Sequence, residues 1–161
     1  MSGNRRQVVS GTITAAPEQV FAVLADPARH TEIDGAGMLQ GTRAGKPITG
    51  VGESFLMDMN QEGLGDYQMR NEIIAFEPGR RIAWAPAIND MPAGMAEMLG
   101  DIDFSGYHYA WDLAPTAEGH TEVTHTCDWS GVKDERAVAF FPRVTSEQMA
   151  QTIARIAATV G

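Results

Sequence analysis

The stretch Ile13-Thr-Ala-Ala-Pro-Glu-Gln-Val-Phe-Ala-Val-Leu-Ala-Asp-Pro-Ala-Arg-His30 decides the fold, because two prolines in it mark helix starts soon after a strand. Pro17 suits the first position of a helix, where its missing N–H would be unpaired in any case. Val20, Phe21 and Leu24 then repeat at helical spacing. The stretch therefore predicts that a helix begins at Pro17.

A second helix start follows within the same stretch. Asp26 suits the N-cap of this helix and Pro27 its first position, so the pair ends one helix and begins another. Residues 7–14 upstream read as a strand. We therefore expect a strand and then two short helices that reach about Ile33.

Composition predicts one globular domain covering residues 1–161. The chain has 161 residues, of which 43% are hydrophobic and 20% charged, which is typical of a folded domain. Its formal net charge of −9 argues against binding to nucleic acid or to an anionic membrane surface. We expect the partner to be a hydrophobic small molecule and the protein to be a monomer or homodimer.

The single cysteine, Cys127, cannot form an internal disulfide, and no apolar run suggests a signal peptide or a membrane span. These features predict a cytoplasmic protein without membrane insertion. Cys127 has no evident activating cation in the sequence, which favours an inert buried thiol over a nucleophile.

The next part of the chain predicts an antiparallel meander. Strands separated by Gly or Pro turns are expected at residues 38–43, 53–60, 67–76 and 81–85. In the second of these, Phe55, Met57 and Met59 alternate with Leu56 and Asp58, so the three large side chains should share one face. Turns are expected at residues 45–47, 50–52, 62–65 and 77–79.

After Pro86 the alternation stops, and residues 87–105 look like an insertion rich in methionine. A short helix from Pro92 to about Leu99 would place Met95, Met98 and Leu99 on one face. We interpret this insertion as a candidate lid.

A hairpin is expected from residues 107–113 and 121–129 around the turn 116–119. Alternation places Tyr109 and Trp111 on one face of its first strand, and His125 on the matching face of its second. The turn length suggests that Tyr109 lies opposite His125 and Trp111 opposite Val123, although a one-residue slip would undo both pairings.

The last element is a long amphipathic helix. Thr145 and Gln148 form a capping box, and Val144 and Met149 occupy the positions of a hydrophobic staple. An apolar stripe follows, made of Met149, Ile153, Ile156 and Val160. Such a helix needs a sheet to lie against.

This order of elements resembles the START-like, or SRPBCC, superfamily over essentially the whole chain. The segments FEPGRRIAW (residues 76–84), YAWDLAP (residues 109–115) and TEVTHTCDWS (residues 121–130) look like strands of its polyketide cyclase/dehydrase and lipid-transport branch. The resemblance implies an α+β helix-grip fold, in which a bent antiparallel sheet of about seven strands wraps a long C-terminal helix. It also implies a pocket between sheet and helix, and the methionine-rich insertion departs from the usual shorter connection.

The side chains expected to face inward are then candidates for ligand binding. They are Phe55, Met57, Met59, Tyr67, Met69, Asn71, Trp84, Met95, Tyr109, Trp111, His125, Trp129 and Met149. This set is mostly apolar with few polar groups, as in small-molecule sites. The alternative for each residue is plain core packing.

Three functions remain open. The first is binding of a hydrophobic small molecule: a lipid, an aromatic or a polyketide-like compound. The second is a polyketide aromatase/cyclase that promotes aldol condensation and dehydration, with His125 and Tyr109 as catalytic acid/base groups. The third is a protein-interaction module of the chaperone-activator type.

We expect neither a metal nor a cofactor. The four histidines, His30, His108, His120 and His125, lack metal-ligand spacing. The Gly-x-Gly turns lack the strand-to-helix context of a phosphate-binding loop.

Overall fold

A curved antiparallel sheet is the main layer of the protein. The computed structural model describes residues 5–35, 37–42, 46–61, 65–142 and 144–160. Within these residues the sheet has seven strands: β1 (Arg6–Ile13), β2 (Leu39–Thr42), β3 (Ser54–Gln61), β4 (Gly65–Glu77), β5 (Arg81–Asp90), β6 (His108–Pro115) and β7 (Thr121–Asp128). Their order is β1-β7-β6-β5-β4-β3-β2, with every neighbouring pair antiparallel.

Short helices and one long helix complete the α+β fold. They are α1 (Pro17–Leu24), α2 (His30–Ile33), α3 (Ala93–Leu99), α4 (Glu135–Val138) and α5 (Ser146–Val160), with a 3₁₀ turn at Pro27–Arg29 before α2. The short helices after β1 and the long C-terminal helix confirm the predicted helix-grip architecture.

The opening helices begin where the sequence predicts. The Gln19 side chain accepts a hydrogen bond from the Ala16 N–H at 3.0 Å, at the start of α1. The Asp26 carboxylate accepts from the Ala28 N–H at 3.2 Å. The second predicted helix is a 3₁₀ turn that leads into α2, because Asp26 caps the turn at Pro27–Arg29.

Helix α5 holds the sheet and the opening helices together. Both bonds of its capping box form, since the Gln148 N–H donates to Thr145 Oγ1 at 3.0 Å and the Thr145 N–H to Gln148 Oε1 at 2.9 Å. Its side chains Ile153 and Ile156 pack in the core with residues of β1 and α1. The fourth predicted stripe residue, Val160, is half-buried at the edge of that core.

The end of α2 lies almost against the backbone of α5. A Cβ on Gly35 would stand 2.3 Å from the Gln148 carbonyl oxygen, so a larger residue would push the two elements apart. The Gly35 N–H donates to Thr152 Oγ1 at 2.9 Å, and Arg155 donates to the Asp34 carbonyl oxygen at 2.9 Å. These contacts hold the end of α2 against α5.

Two sequence expectations about residues 81–105 were wrong. Strand β5 does not end near Pro86 but continues to Asp90. Its ladder with β6 ends at Trp84, so β4 is its only paired neighbour beyond that point in the described chain, and a proline is tolerated there. Met98 is 64% exposed, whereas Met95 and Leu99 are buried, because α3 buries only a narrow stripe.

The hairpin forms, but its register differs from the prediction by two residues. Tyr109 pairs with Cys127, and Trp111 pairs with His125. The cause is the turn, where the Thr116 N–H donates a hydrogen bond to the His120 carbonyl oxygen and so moves the centre of the turn toward the second strand. A two-residue shift leaves every side chain on its predicted face. Arg43, Gly45 and most of the predicted turn at 62–65 lie outside the described residues.

Candidate functional site

A cavity of about 640 Å³ lies between the inner face of the sheet and α5. Strands β3 to β7 supply its wall, while α2, α3 and α5 supply side chains from other directions. All predicted ligand-binding residues except Trp129 line it. The lining members are Phe55, Met57, Met59, Tyr67, Met69, Asn71, Trp84, Met95, Tyr109, Trp111, His125 and Met149.

Trp129 is the exception and corrects the prediction. Trp129 follows the end of β7. Its backbone N–H donates a hydrogen bond to the Arg5 carbonyl oxygen at 2.9 Å. Its ring stacks on Phe141 with centroids 5.8 Å apart, in a cluster of buried residues that includes the cavity-lining Met149. Alternation places Trp129 on the inner face, but the strand has already ended, so its side chain packs beside the cavity.

Strands β3 and β4 build one wall from paired residues. Phe55 lies opposite Asn71, Met57 opposite Met69, and Met59 opposite Tyr67. The prediction that Phe55, Met57 and Met59 share one face is confirmed, since all three line the cavity. The wall is therefore apolar, with the amide of Asn71 and the phenol of Tyr67 as its polar points.

His30 lines the cavity, although it is not among the site residues predicted from the sequence. Its Nε2–H donates to the Leu24 carbonyl oxygen at 2.8 Å, which turns the ring inward. The ring stacks on Trp84 at 5.2 Å between centroids and meets the edge of Phe55 at 5.4 Å. Burial lowers the pKa of His30, so the ring is neutral at pH 7.

His125 and Trp111 form the most closely stacked ring pair in the cavity wall. Their ring centroids are 3.6 Å apart and their planes differ by 8°. Burial lowers the pKa of His125 to about 3. Neither the indole nitrogen of Trp111 nor Nδ1 of His125 has a hydrogen-bond partner in the described chain.

Tyr109 lies beside the same histidine. The two ring centroids are 6.1 Å apart and both side chains line the cavity. The structure thus brings together the two residues that the sequence suggests as an acid/base pair, and that role stays a prediction.

Residues 91–105, which we call the α3 segment, line one side of the cavity. Met91, Met95 and Leu99 line the cavity from this segment, together with Ile102, Asp103, Phe104 and Ser105. Phe104 meets the exposed ring of Phe140 edge to face at 5.3 Å. Of these residues only Met95 was predicted to bind ligand. The methionine content of the insertion was the feature of the sequence that pointed to the others.

Arg136 fastens the α3 segment to α4. Its guanidinium lies 2.7 Å from the Asp101 carboxylate and 2.8 Å from that of Asp134. Asp134 also accepts from the Asp103 N–H at 3.0 Å. Hydrogen bonds from Arg136 and the Asp103 N–H hold the pKa of Asp134 below its usual range, so the carboxylate stays ionised.

The carboxylates among the described lining residues are the charged groups of the cavity wall that the structure shows. Asp34, Asp90 and Asp103 line the cavity, and none of its described lining residues is Lys or Arg. The two lining histidines both have lowered pKa values. The described part of the cavity wall therefore carries no positive charge at pH 7.

The described residues form neither a metal cluster nor a helix that could span a membrane. No three His, Cys, Asp or Glu side chains come together there as a metal site would need. Cys127, the single cysteine, is fully buried. None of the described helices combines the length and the apolar character that crossing a bilayer requires.

Two bacterial proteins are examples of solved structures that are similar in fold to this chain. Protein Ms6760 from Mycobacterium smegmatis has a TM-score of 0.70 at 13% identity, covering 98% of this chain and 91% of that one. Protein CV1439 from Chromobacterium violaceum has a TM-score of 0.65 at 16% identity, covering 97% of each chain. At these identities the similarity shows the fold alone.

Sequence comparison gives the family. The uncharacterized protein Rv0088 of Mycobacterium tuberculosis is 26% identical over 128 residues, which are 80% of this chain. The chain spans about half the length of the curated relatives it matches, 49% in each case. The model of the family described as polyketide cyclase / dehydrase and lipid transport matches residues 6–161, so the chain belongs to that family.

Proposed function

We propose that this protein binds a hydrophobic small molecule, such as a lipid, an aromatic or a polyketide-like compound, in the cavity between the sheet and α5. The observation that carries the proposal is the cavity itself. Its volume of about 640 Å³ falls in the range of small-molecule sites, and its wall is mostly apolar. A core serving only stability would fill such a space with side chains.

The side chains of the wall suit ligands of varied shape. Met57, Met59, Met69, Met95 and Met149 all line the cavity. The unbranched methionine side chain adopts many rotamers and packs well against aromatic rings. A set of methionines around aromatic residues supports binding of a ring-bearing or lipid-like molecule.

A cavity-filling substitution tests the binding proposal. Met59→Trp adds bulk inside the cavity, and Ile74→Trp adds a similar bulk to the same sheet at an exposed position that does not line it. We expect Met59→Trp to weaken binding of the neutral probe N-phenyl-1-naphthylamine about tenfold or more, and Ile74→Trp to leave it unchanged. Fluorescence titration measures both, with circular dichroism to check folding. Equal affinity in the wild type and a folded Met59→Trp variant would contradict the proposed site.

A retained ligand would give independent support. Native mass spectrometry of protein purified from its host should show a mass above that of the chain, lost on denaturation. The Met59→Trp variant should carry less of this mass than the Ile74→Trp variant.

A second candidate function is cyclisation, which the proximity of Tyr109 and His125 in one cavity favours. The reaction would join the α-carbon of one ketone to the carbonyl carbon of another and then release water. The pKa of about 3 makes His125 a weak base, so binding is the better supported function.

Two substitutions separate the candidates. Under cyclisation, His125→Ala and Tyr109→Phe reduce turnover of a bound poly-β-ketone more than they reduce its affinity. Loss of affinity with unchanged turnover per bound molecule would remove the catalytic assignment. The chaperone-activator alternative, the cytoplasmic location and the state of monomer or homodimer stay predictions.

A further inference from the structure

Two buried side-chain polar atoms are left without a hydrogen-bond partner in the described chain, and both belong to residues that line the cavity. They are the indole nitrogen of Trp111 and Nδ1 of His125. The side chains are 3% and 6% exposed, and their rings stack at 3.6 Å. Buried polar atoms are nearly always paired, so two unpaired atoms on stacked neighbours call for a physical cause.

The chemistry of the pair defines what would satisfy it. The indole N–H is a donor only, whereas a neutral imidazole nitrogen either donates or accepts according to its tautomer. An uncharged oxygen meets both needs: a hydroxyl accepts from the indole and donates to the imidazole, and a carbonyl oxygen accepts from both. Each unpaired atom has lost its hydration without compensation. A ligand oxygen that reaches the pair as the surrounding side chains shift on binding would restore the missing hydrogen bonds.

The charges of the cavity favour an uncharged molecule. Asp34, Asp90 and Asp103 line the cavity, and its described lining residues include no Lys or Arg. A ligand carboxylate would lose its hydration without meeting a cation from these residues. The described wall therefore disfavours acidic ligands such as fatty acid anions.

We infer that the cavity selects an uncharged hydrophobic molecule bearing a hydroxyl or carbonyl oxygen, and that Trp111 and His125 together bind that oxygen. This inference rests on the proposed function, because it names the class of ligand for the same cavity. It makes the two residues determinants of specificity, with a role that does not require proton transfer by His125.

Three probes of one ring size test the inference by equilibrium dialysis at pH 7: 2-naphthol, 2-methylnaphthalene and 2-naphthoate. Trp111→Phe removes the indole N–H and keeps an aromatic ring, and His125→Phe removes both imidazole nitrogens. Trp129→Phe is the matched control, because Trp129 is not among the residues that line the cavity. The measured quantity is the ratio of 2-naphthol affinity to 2-methylnaphthalene affinity, which cancels general effects on packing.

We expect Trp111→Phe and His125→Phe each to lower this ratio about 3- to 10-fold, the size of one net hydrogen bond, and Trp129→Phe to leave it unchanged. For the wild type we expect 2-naphthoate to bind at least about tenfold more weakly than 2-naphthol. The comparison of 2-naphthoate with 2-naphthol needs no variant. It therefore tests the selection for uncharged ligands even if a substitution prevents folding.

The outcomes separate this inference from the proposed function. If 2-naphthol and 2-methylnaphthalene bind but the ratio is the same in the wild type, Trp111→Phe and His125→Phe, the oxygen site is wrong and the binding function stands. Binding of 2-naphthoate as tight as that of 2-naphthol would overturn the selection for uncharged ligands. If none of the probes binds, and N-phenyl-1-naphthylamine does not bind either, the proposed function fails together with the inference.

Discussion

Trp111 and His125 lie directly opposite each other on β6 and β7, and their rings stack with centroids 3.6 Å apart. The register of the hairpin creates this contact, because it pairs the two residues across the strands. The stack places an imidazole with a strongly lowered pKa in the wall of the cavity. It therefore links the local turn geometry to the chemistry of the site.

Protonation of His125 should make stability depend on pH. Its pKa falls from 6.5 to about 3 on folding, so the unfolded chain takes up a proton between these values and the folded chain does not. Stability is therefore lost as pH falls through this window, by about 1 kcal/mol between pH 7.5 and 5.5.

Urea denaturation of the wild type and His125→Phe at several pH values measures this effect. The variant should lose this part of the pH dependence, while the part due to the buried His30 remains in both proteins. The same slope in both proteins between pH 7.5 and 5.5 would show that His125 already titrates normally when folded.

Ile156 should be among the side chains on which the core depends. It is fully buried in the cluster that joins α5 to β1 and α1. Ile156→Ala leaves a void there and should lower the free energy of unfolding by about 2–5 kcal/mol. Ile74→Ala, at an exposed position, should change it by about 0.5 kcal/mol or less. Denaturant titration checks both values, and similar losses in the two variants would contradict this account of the core.

The capping box should contribute measurably to α5. Thr145→Ala removes the hydroxyl that accepts the Gln148 N–H, which should cost about 1 kcal/mol of unfolding free energy. Ser146→Ala, at the next position, serves as the control and should have little effect. Thermal or chemical denaturation measures the loss of stability in both variants. A loss in Thr145→Ala as small as that in Ser146→Ala would mean that the cap is dispensable.

The ion pairs of Arg136 should control access to the cavity. Arg136→Gln breaks its contacts with Asp101 and Asp134 and so weakens the attachment of the α3 segment to α4, leaving the hydrogen bond from the Asp103 N–H to Asp134. If the α3 segment acts as the predicted lid, ligand association and dissociation rates should rise several-fold, because the segment lines one side of the cavity. High salt should raise the rates of the wild type in the same direction by screening the exposed pairs.

Stopped-flow fluorescence with N-phenyl-1-naphthylamine measures these rates. Arg29→Gln breaks another exposed ion pair, with Glu32, and Arg29 does not line the cavity. It should leave the rates unchanged. Unchanged rates in Arg136→Gln would mean that the α3 segment does not act as a lid.

Local rules explain what the sequence predicted well. Pro17 and Asp26 mark helix starts because a missing N–H and a carboxylate suit those positions in any fold. Strict alternation placed Phe55, Met57 and Met59 on one face, since side chains of a strand point alternately to its two sides. These features depend on neighbours in sequence, so they can be recognised without the fold.

Features that depend on distant residues could not be predicted in this way. A two-residue shift keeps the same faces, so alternation alone does not distinguish Trp111 opposite Val123 from Trp111 opposite His125. His30 joins the site by stacking on Trp84, a contact between α2 and β5 that no local pattern reports. Trp129 continues the alternation of inward-facing residues in β7, but its side chain packs on Phe141 and does not line the cavity.

The sequence by itself determined the order of the elements, their caps and the apolar faces, because these follow from backbone preferences and side-chain periodicity. Tertiary structure alone decided the pairing register, the continuation of β5 past Pro86 and the two unpaired nitrogens of the cavity wall. The physical reason is that burial and hydrogen bonding of one residue depend on which distant residues pack around it.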